Sequence, residues 1–522
     1  MSLIAKKHQI NNNHQIITNK MKKTSYYVLC LCISLLAVCM TPVHVAAQSL
    51  YPDVNGDGTA SIKDVTVLIN FLLTNEDPNG AFDPSSRGRI SAKDYGAVGD
   101  GAVDDTEALE RAFADAARLH VSLYIPAGTY LIRRPMALKS GMEVYGDGPT
   151  QTIIRKKAAV WHKLTEVLAA DTYVASVDAI DGYEVGDAMY VSDTYGNLTN
   201  GNAAARDCSY GVITAIDTVN KKVTFASSLN HLPGHYGAVK DHPVNCVLST
   251  SYAVFRSWSK DECIGVYVHD ICLDGNRQTS EPMSWCNGTI HFDPYSTASR
   301  QNVSYKSHTY NHIIYNCKFV NSSFDGISDQ GEGGLYVKGC TIENSAMHGV
   351  HMGTIFSNAL VADNTMTGNN VRGAGVFFCQ GVNNVIVDSN KISDFNHGCS
   401  DEEYGSAGTY NIIRNNQFTN IKSYVFDFLN SSTYTHGGSL LITGNKAAGL
   451  KASLFAGKYL DDVVFTKNTV TSVTTVPSEL IKVTGSNDVI VVGNILPDGV
   501  SVTTPVNATN TTNIIDSANT WN

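Results

Sequence analysis

From residue 264 onward, short apolar or β-branched runs recur, each leading into a Cys or Asn followed by one polar and one apolar residue. The positions are Cys317, Cys340, Asn364, Asn390, Asn416, Asn445, Asn468 and Asn494, spaced 23 to 29 residues apart. A unit of that size cannot bury its own apolar face, so the repeats must stack on one another. At a strand spacing of about 4.8 Å, equivalent residues of successive coils lie one above the next. A buried Asn in such a column satisfies its amide from the coils on either side, and a Cys packs there as a small apolar residue. Cys272 is assigned to the same column, with one enlarged coil before Cys317. The three cysteines then form a stack of thiols rather than disulfides or metal ligands. A second column is a glycine opening a strand, at Gly288, Gly326, Gly349, Gly375 and Gly398.

Upstream the period changes. Leu109, Ala112, Phe113, Ala116 and Leu119 fall on one face of a helix, with Asp104 and Glu107 at the spacing of a capping box. Such a helix can plug the open end of a stack of coils. Residues 160–245 alternate at period two in two stretches, Val174 to Val191 and Tyr210 to Phe225. These predict two hairpins turning at Asp181-Gly182 and Asn220-Lys221, within an inserted β-subdomain that either walls a groove or decorates the coils.

Three segments carry a family resemblance: Ile90 to Gly101 (ISAKDYGAVGDG), Asp104 to Leu109 (DDTEAL) and Leu123 to Tyr130 (LYIPAGTY). Together they resemble the opening of pectate lyase superfamily proteins, among them rhamnogalacturonases, mannuronan C5-epimerases and phage tailspikes. The resemblance implies an all-β fold: a single-stranded right-handed parallel β-helix over residues 85–522, with an N-terminal capping helix and the small insertion at 160–245. It implies a polysaccharide partner and says little about chemistry.

Charge removes one class of function. The net charge is −10 and no basic face is apparent, which excludes nucleic acid as the expected partner. Lys22 and Lys23 precede an apolar run from Tyr26 to Met40, and Val45-Ala46-Ala47 resembles a small-residue cleavage site. Residues 1–47 therefore read as a polar extension plus a signal peptide over about 21–47, with a secreted, periplasmic or cell-surface destination. Residues 48–80 carry a calcium-type loop. Asp53, Asn55, Asp57, Thr59, Ser61 and Asp64 occupy loop positions 1, 3, 5, 7, 9 and 12, with Gly58 at the turn position. A hard cation takes six to eight oxygens in this pattern. The loop resembles one half of a dockerin, which implies a structural Ca²⁺ and a cohesin-like partner.

The strands that follow the glycine column offer His and carboxylate side chains on adjacent coils. These are His291 and Asp293, then Asp325, Asp329 and Glu332, then His348 and His351, with Asp401, Glu402 and Glu403 farther on. Asp274-Gly-Asn276, Asp293-Pro294, Asp325-Gly326 and His348-Gly349 resemble segments of mannuronan C5-epimerases, with Tyr295 standing where that family carries His. Asp325-Gly-Ile327 and His348-Gly-Val-His-Met-Gly353 resemble polygalacturonase-type hydrolases. Proton abstraction from C5 of a uronate needs its carboxylate neutralised, plus an acid and a base. Asp329, His348, His351 and Tyr295 are the candidates, with Ca²⁺ or Arg300 on the carboxylate. Inverting hydrolysis needs two carboxyls far enough apart to admit water, and Asp329 with Asp293 or Asp325 is the candidate pair. A non-catalytic glycan-binding protein is the third alternative.

Overall fold

The structure is a computed structural model. It describes residues 88–169, 172–192, 208–226, 241–258, 262–283, 287–293, 309–331, 333–353, 356–369, 372–379, 381–401, 408–429 and 437–521. The calcium-type loop with its six ligand positions, the signal segment, Tyr295, Arg300, Glu332, Glu402 and Glu403 lie outside the described residues. No helix among the described residues is long and apolar enough to cross a membrane.

Among the described residues the chain winds through three parallel sheets of 14, 11 and 11 strands, one strand of each per regular coil. A representative coil runs from Thr309–Tyr315 in the first sheet to Lys318–Val320 in the second and Ile327–Asp329 in the third. It returns to the first sheet at Gly333–Lys338. Alternate residues face inward and stack between coils. In the third sheet Ile290, Ile327, Val350 and Val376 pair in register and are fully buried.

The corner between the first and second sheets is held by the predicted ladder. Asn390 Oδ1 accepts from the backbone N–H of Asn364 at 3.0 Å and from its Nδ2 at 2.9 Å. The Asn390 amide donates in turn to Val361 O at 2.8 Å and Asn416 Oδ1 at 2.9 Å. The same pattern continues to Asn494, and Asn519 closes it. The residue before each ladder position has positive φ, at Asn316, Asp363, Ser389 and Asn415 among others, a conformation that Asn and Asp tolerate. Replacing Asn390 by Leu strips partners from buried amides on both sides. The expected loss is about 1–3 kcal/mol of stability, read as a lower urea midpoint. An unchanged midpoint would show that the column contributes nothing.

Two register assignments need correction. Cys272 pairs with Lys318, one residue past Cys317, so Ile271 fills the ladder position on that coil. Gly288 is likewise offset by one. Thr289 holds its place and donates to Asp325 O as Gly326 donates to His348 O. The true glycines of that column pack tightly: a Cβ at Gly349 would lie 2.5 Å from Gly375 O, and one at Gly375 2.3 Å from Ile392 Cγ2. Coils of unequal length hid both offsets from spacing alone. Cys246, Cys263, Cys272, Cys317, Cys340, Cys379 and Cys399 are free thiols.

The helix spans Thr106–Leu119 and buries Leu109, Ala112, Phe113 and Ala116, with Phe113 edge-on to Phe255 of the third sheet at 5.2 Å. Leu119 is instead exposed. The capping box does not form. Asp105 is the N-cap residue, but its carboxylate accepts from the Val98 and Gly99 amides, and Asp104 accepts from the Thr106 N–H at 3.0 Å. The helix start is thus tied to the loop before it.

The described residues of the insertion form a six-stranded antiparallel sheet with its own core, including Leu164, Met189, Val191, Ile213, Val223 and Leu248. Its boundary strand Val247–Ser249 pairs with Trp161–Lys163. The second predicted hairpin is present, with Asp217 opposite Lys222. The first is not. Val174–Ser176 pairs with Lys222–Thr224, while Ala188–Ser192 pairs with Cys208–Asp217 and with Val247–Ser249. Period-two alternation identified the strands and left their partners open.

Candidate active site

The third sheet brings together Asp325, His348 and His351. Asp325 and His348 each precede a glycine of the column, and His351 lies on the outward face of the strand Val350–Met352, in register with Ser328 and Phe377. Asp325 Oδ2 meets His351 Nδ1 at 2.8 Å, and Asp325 Oδ1 accepts from the His348 backbone N–H at 3.1 Å. One buried carboxylate therefore fixes the imidazole and the turn before it. His348 stacks on Phe377 at 4.0 Å, and His351 stands edge-on to the same ring at 4.9 Å. Both histidines keep only 6% of their surface, so charges here interact in a poorly solvated setting.

The two histidines are driven apart electrostatically. Burial pushes His348 down to about 3, against a weaker opposing pull from Asp325. Burial also pushes His351 down, but the charge and hydrogen bond of Asp325 outweigh it and raise the imidazole to about 10. His348 is therefore neutral, and the Ala374 N–H donating to its Nδ1 at 3.0 Å leaves the ring proton on Nε2. His351 is a cation with Nδ1–H on Asp325. Gln330 Nε2 lies 3.3 Å from His351 Nε2 and donates to Ser328 Oγ at 3.1 Å.

One ligand atom from each of Asp325, His348 and His351 lies within 4.8 Å of the others. The donor set does not suit Ca²⁺. Ca²⁺ takes oxygens, whereas two of these three groups are imidazoles. The Nδ1 lone pair of His348 is already used by Ala374, and its Nε2 carries a proton.

Asp329 does not join this group. It pairs in register with Phe292 and Met352 of the inward column and is fully buried. Its Oδ1 accepts from the Gly331 N–H at 2.9 Å while Oδ2 has no hydrogen-bond partner. Burial raises its carboxyl to about 8. Period-two alternation within Ile327–Asp329 puts Ser328 outward and Asp329 inward.

Asp293 lies on another coil of the same sheet, bound to Arg256 at 2.5 Å and to His291 Nε2 at 2.8 Å. Arg256 also donates to Tyr190 OH of the insertion and lies under Trp258, 4.9 Å from its ring. The insertion thus touches the sheet that carries the candidate site. One group beside His351 escaped sequence reasoning: Gln330 gave no signal.

With this geometry in place, the comparisons with known proteins are specific about family. Residues 89–351 match the family model "Rhamnogalacturonase A/epimerase, pectate lyase-like", and residues 296–446 match "Right handed beta helix region". The chain belongs to the rhamnogalacturonase A/epimerase, pectate lyase-like family. It is 27% identical over 201 residues to the mannuronan C5-epimerase AlgE1 of Azotobacter vinelandii, covering 34% of this chain and 14% of that one. It is 28% identical over 106 residues to the pre-neck appendage protein of Bacillus phage B103, covering 20% of this chain and 9% of that one. The chain thus spans a small part of these curated relatives. Among solved structures, the A-module of the Azotobacter vinelandii mannuronan C-5 epimerase AlgE6 is similar with a TM-score of 0.48 and 13% identity, over 82% of this chain and 99% of that one.

Proposed function

We propose that the chain is an exported enzyme that abstracts the C5 proton of a uronate residue in a polysaccharide, as a lyase or a C5-epimerase. The observation that carries this reading is the buried Asp325–His351 pair with the neutral His348 beside it. Such a pair is a proton-transfer device. The cationic His351 can offset a substrate carboxylate and give a proton from Nε2, and on losing it the same nitrogen becomes a base. His348 offers an Nε2–H that needs no protonation. Tyr295 is the proposed partner on the other face of the ring.

Inverting hydrolysis needs two carboxyl groups roughly 6.5–9.5 Å apart with water between them. The three candidate carboxylates are otherwise engaged: Asp293 by Arg256 and His291, Asp325 by His351, and Asp329 by its inward orientation. That disfavours the hydrolase reading. The name of the aligned relative, a mannuronan C5-epimerase, agrees with proton abstraction.

Product analysis on polymannuronate, homogalacturonan and neutral glycans tests the proposal. A lyase gives ultraviolet-absorbing C4–C5 unsaturated ends, and an epimerase takes up solvent deuterium at C5 without cleavage. Either result supports it. New reducing ends without unsaturation, or binding of uronate polymers with no turnover, would overturn it.

The loop from Asp53 to Asp64 is proposed as a structural Ca²⁺ site, on its oxygen spacing. Calorimetric titration of the full chain is expected to show one Ca²⁺ site that Asp57→Ala abolishes. Affinity unaffected by that substitution would remove the claim.

A further inference from the structure

Two arginines on the coils that flank the candidate site are cations for which the proposed reaction has no use. Arg277 lies in the corner between Cys272–Asp274 of the second sheet and Ile290–Phe292 of the third, one coil before Asp325. Its N–H donates at 3.1 Å to Asn321 O, in the corner that ends at Asp325. Arg372 lies in the same corner one coil after His348, just before the strand Ala374–Phe378. Its neighbour Gly373 packs so closely on the coil of His348 that a Cβ would lie 2.1 Å from Met347 O. The Ala374 N–H that follows donates to His348 Nδ1 at 3.0 Å. The two arginines thus bracket the coils of Asp325, His348 and His351, three coil steps or about 14 Å apart at the strand spacing of a sheet. Arg118, Arg133, Arg134, Arg155, Arg256 and Arg414 each pair with a carboxylate. Among the described residues, Arg277 and Arg372 have neither an ion pair nor a side-chain hydrogen bond. Carboxylates are not scarce, at 48 acidic residues against 38 basic.

Both side chains are half-buried. Arg277 Nη1 is enclosed and has no hydrogen-bond partner, and burial works against its charge. Glu281 offsets that only weakly, because it is bound to Lys156 at 2.9 Å and to the Gln278 N–H at 2.9 Å. A partly desolvated guanidinium without a counterion is stabilised by any anion that reaches it, and its planar fork matches a carboxylate. We propose that Arg277 and Arg372 are carboxylate-binding residues that read the uronates on either side of the reacting sugar. Their role depends on the proposed proton abstraction at His351, which sets the reacting sugar between them. An extended polysaccharide laid across the coils advances by a step close to one coil spacing, so its neighbouring sugars reach the two flanking coils. The substrate class is then a run of consecutive uronates rather than a chain in which charged and neutral sugars alternate. On a chain of net charge −10, two such cations also favour encounter with an anionic polymer at this groove.

The test is calorimetric titration of the full chain with hexamers of galacturonate and of mannuronate, with mannohexaose as the neutral control, beside initial rates on the matching polymers. Arg277→Gln and Arg372→Gln are each expected to weaken binding of the preferred hexauronate by about tenfold. Mannohexaose binding is expected to stay as in wild type. In the rates, KM rises by a similar factor while kcat stays within about threefold, as when binding common to ground and transition state is lost. Arg277→Lys and Arg372→Lys keep the charge and are expected to recover part of the affinity. The circular dichroism spectrum confirms the fold of each variant, and should Arg277→Gln unfold, Arg277→Lys and Arg372→Gln decide. Hexauronate affinity unchanged in a folded glutamine variant, an equal loss on mannohexaose, or no hexauronate binding by wild type would overturn the proposal. Affinity is read without turnover, so unchanged affinity with full turnover sinks the arginine assignment alone. Affinity lost in the variants of a chain that turns over no polymer sinks the proposed reaction and leaves the carboxylate site standing.

Discussion

Replacing His351 by alanine is expected to lower turnover of the uronate polymer by about 10²–10⁴, the usual loss when a positioned acid or base is removed. His351 is the one group of the cluster whose charge and orientation are both set by a dedicated partner, Asp325 at 2.8 Å. Asp325→Asn sharpens the test. Burial alone pushes the imidazole down, and the Asp325 charge raises it to about 10. Without that charge, the alkaline limb of the pH–rate profile moves to lower pH. A merely structural Asp325 would reduce the rate without moving the limb. Wild-type turnover in a folded His351→Ala variant would remove the pair from the reaction. Initial rates across the pH range, with the circular dichroism spectrum checked for each variant, decide between these outcomes.

The coil repeat was legible because a solenoid writes its geometry into the sequence. Every ladder Asn must meet the next, so the period survives wherever coils are regular. The same logic brought Asp325, His348 and His351 to adjacent coils, since each lies at a fixed distance from a column glycine. Failures came where the period slips. One irregular coil displaced Cys272 from the ladder and Gly288 from the glycine column, each by one residue. Asp329 failed for a different reason: it lies three residues past Gly326 whereas His351 lies two past Gly349, and that one-residue difference reverses the face, so Asp329, expected in the groove, lies inside.

Asp329 also yields the second large expected effect. A carboxyl facing Phe292 and Met352, with one oxygen unpartnered, is held protonated, and burial moves it from the ordinary carboxylate range to about 8. Between those limits the folded chain keeps a proton that the unfolded chain has lost. The stability tied to that proton is fully present below the unfolded value and is lost as pH rises through about 8. At about 1.36 kcal/mol per pH unit, the penalty at mildly alkaline pH is on the order of several kcal/mol. Asp329→Asn keeps an oxygen for the Gly331 N–H and carries no charge at any pH. Its urea midpoint is expected to match wild type near pH 4 and to exceed it at pH 8. A constant difference across that range would show that Asp329 does not titrate there. Turnover of the variant at neutral pH is expected to stay within a few-fold of wild type. A loss approaching that of His351→Ala would mean that the inward carboxyl takes part in the chemistry.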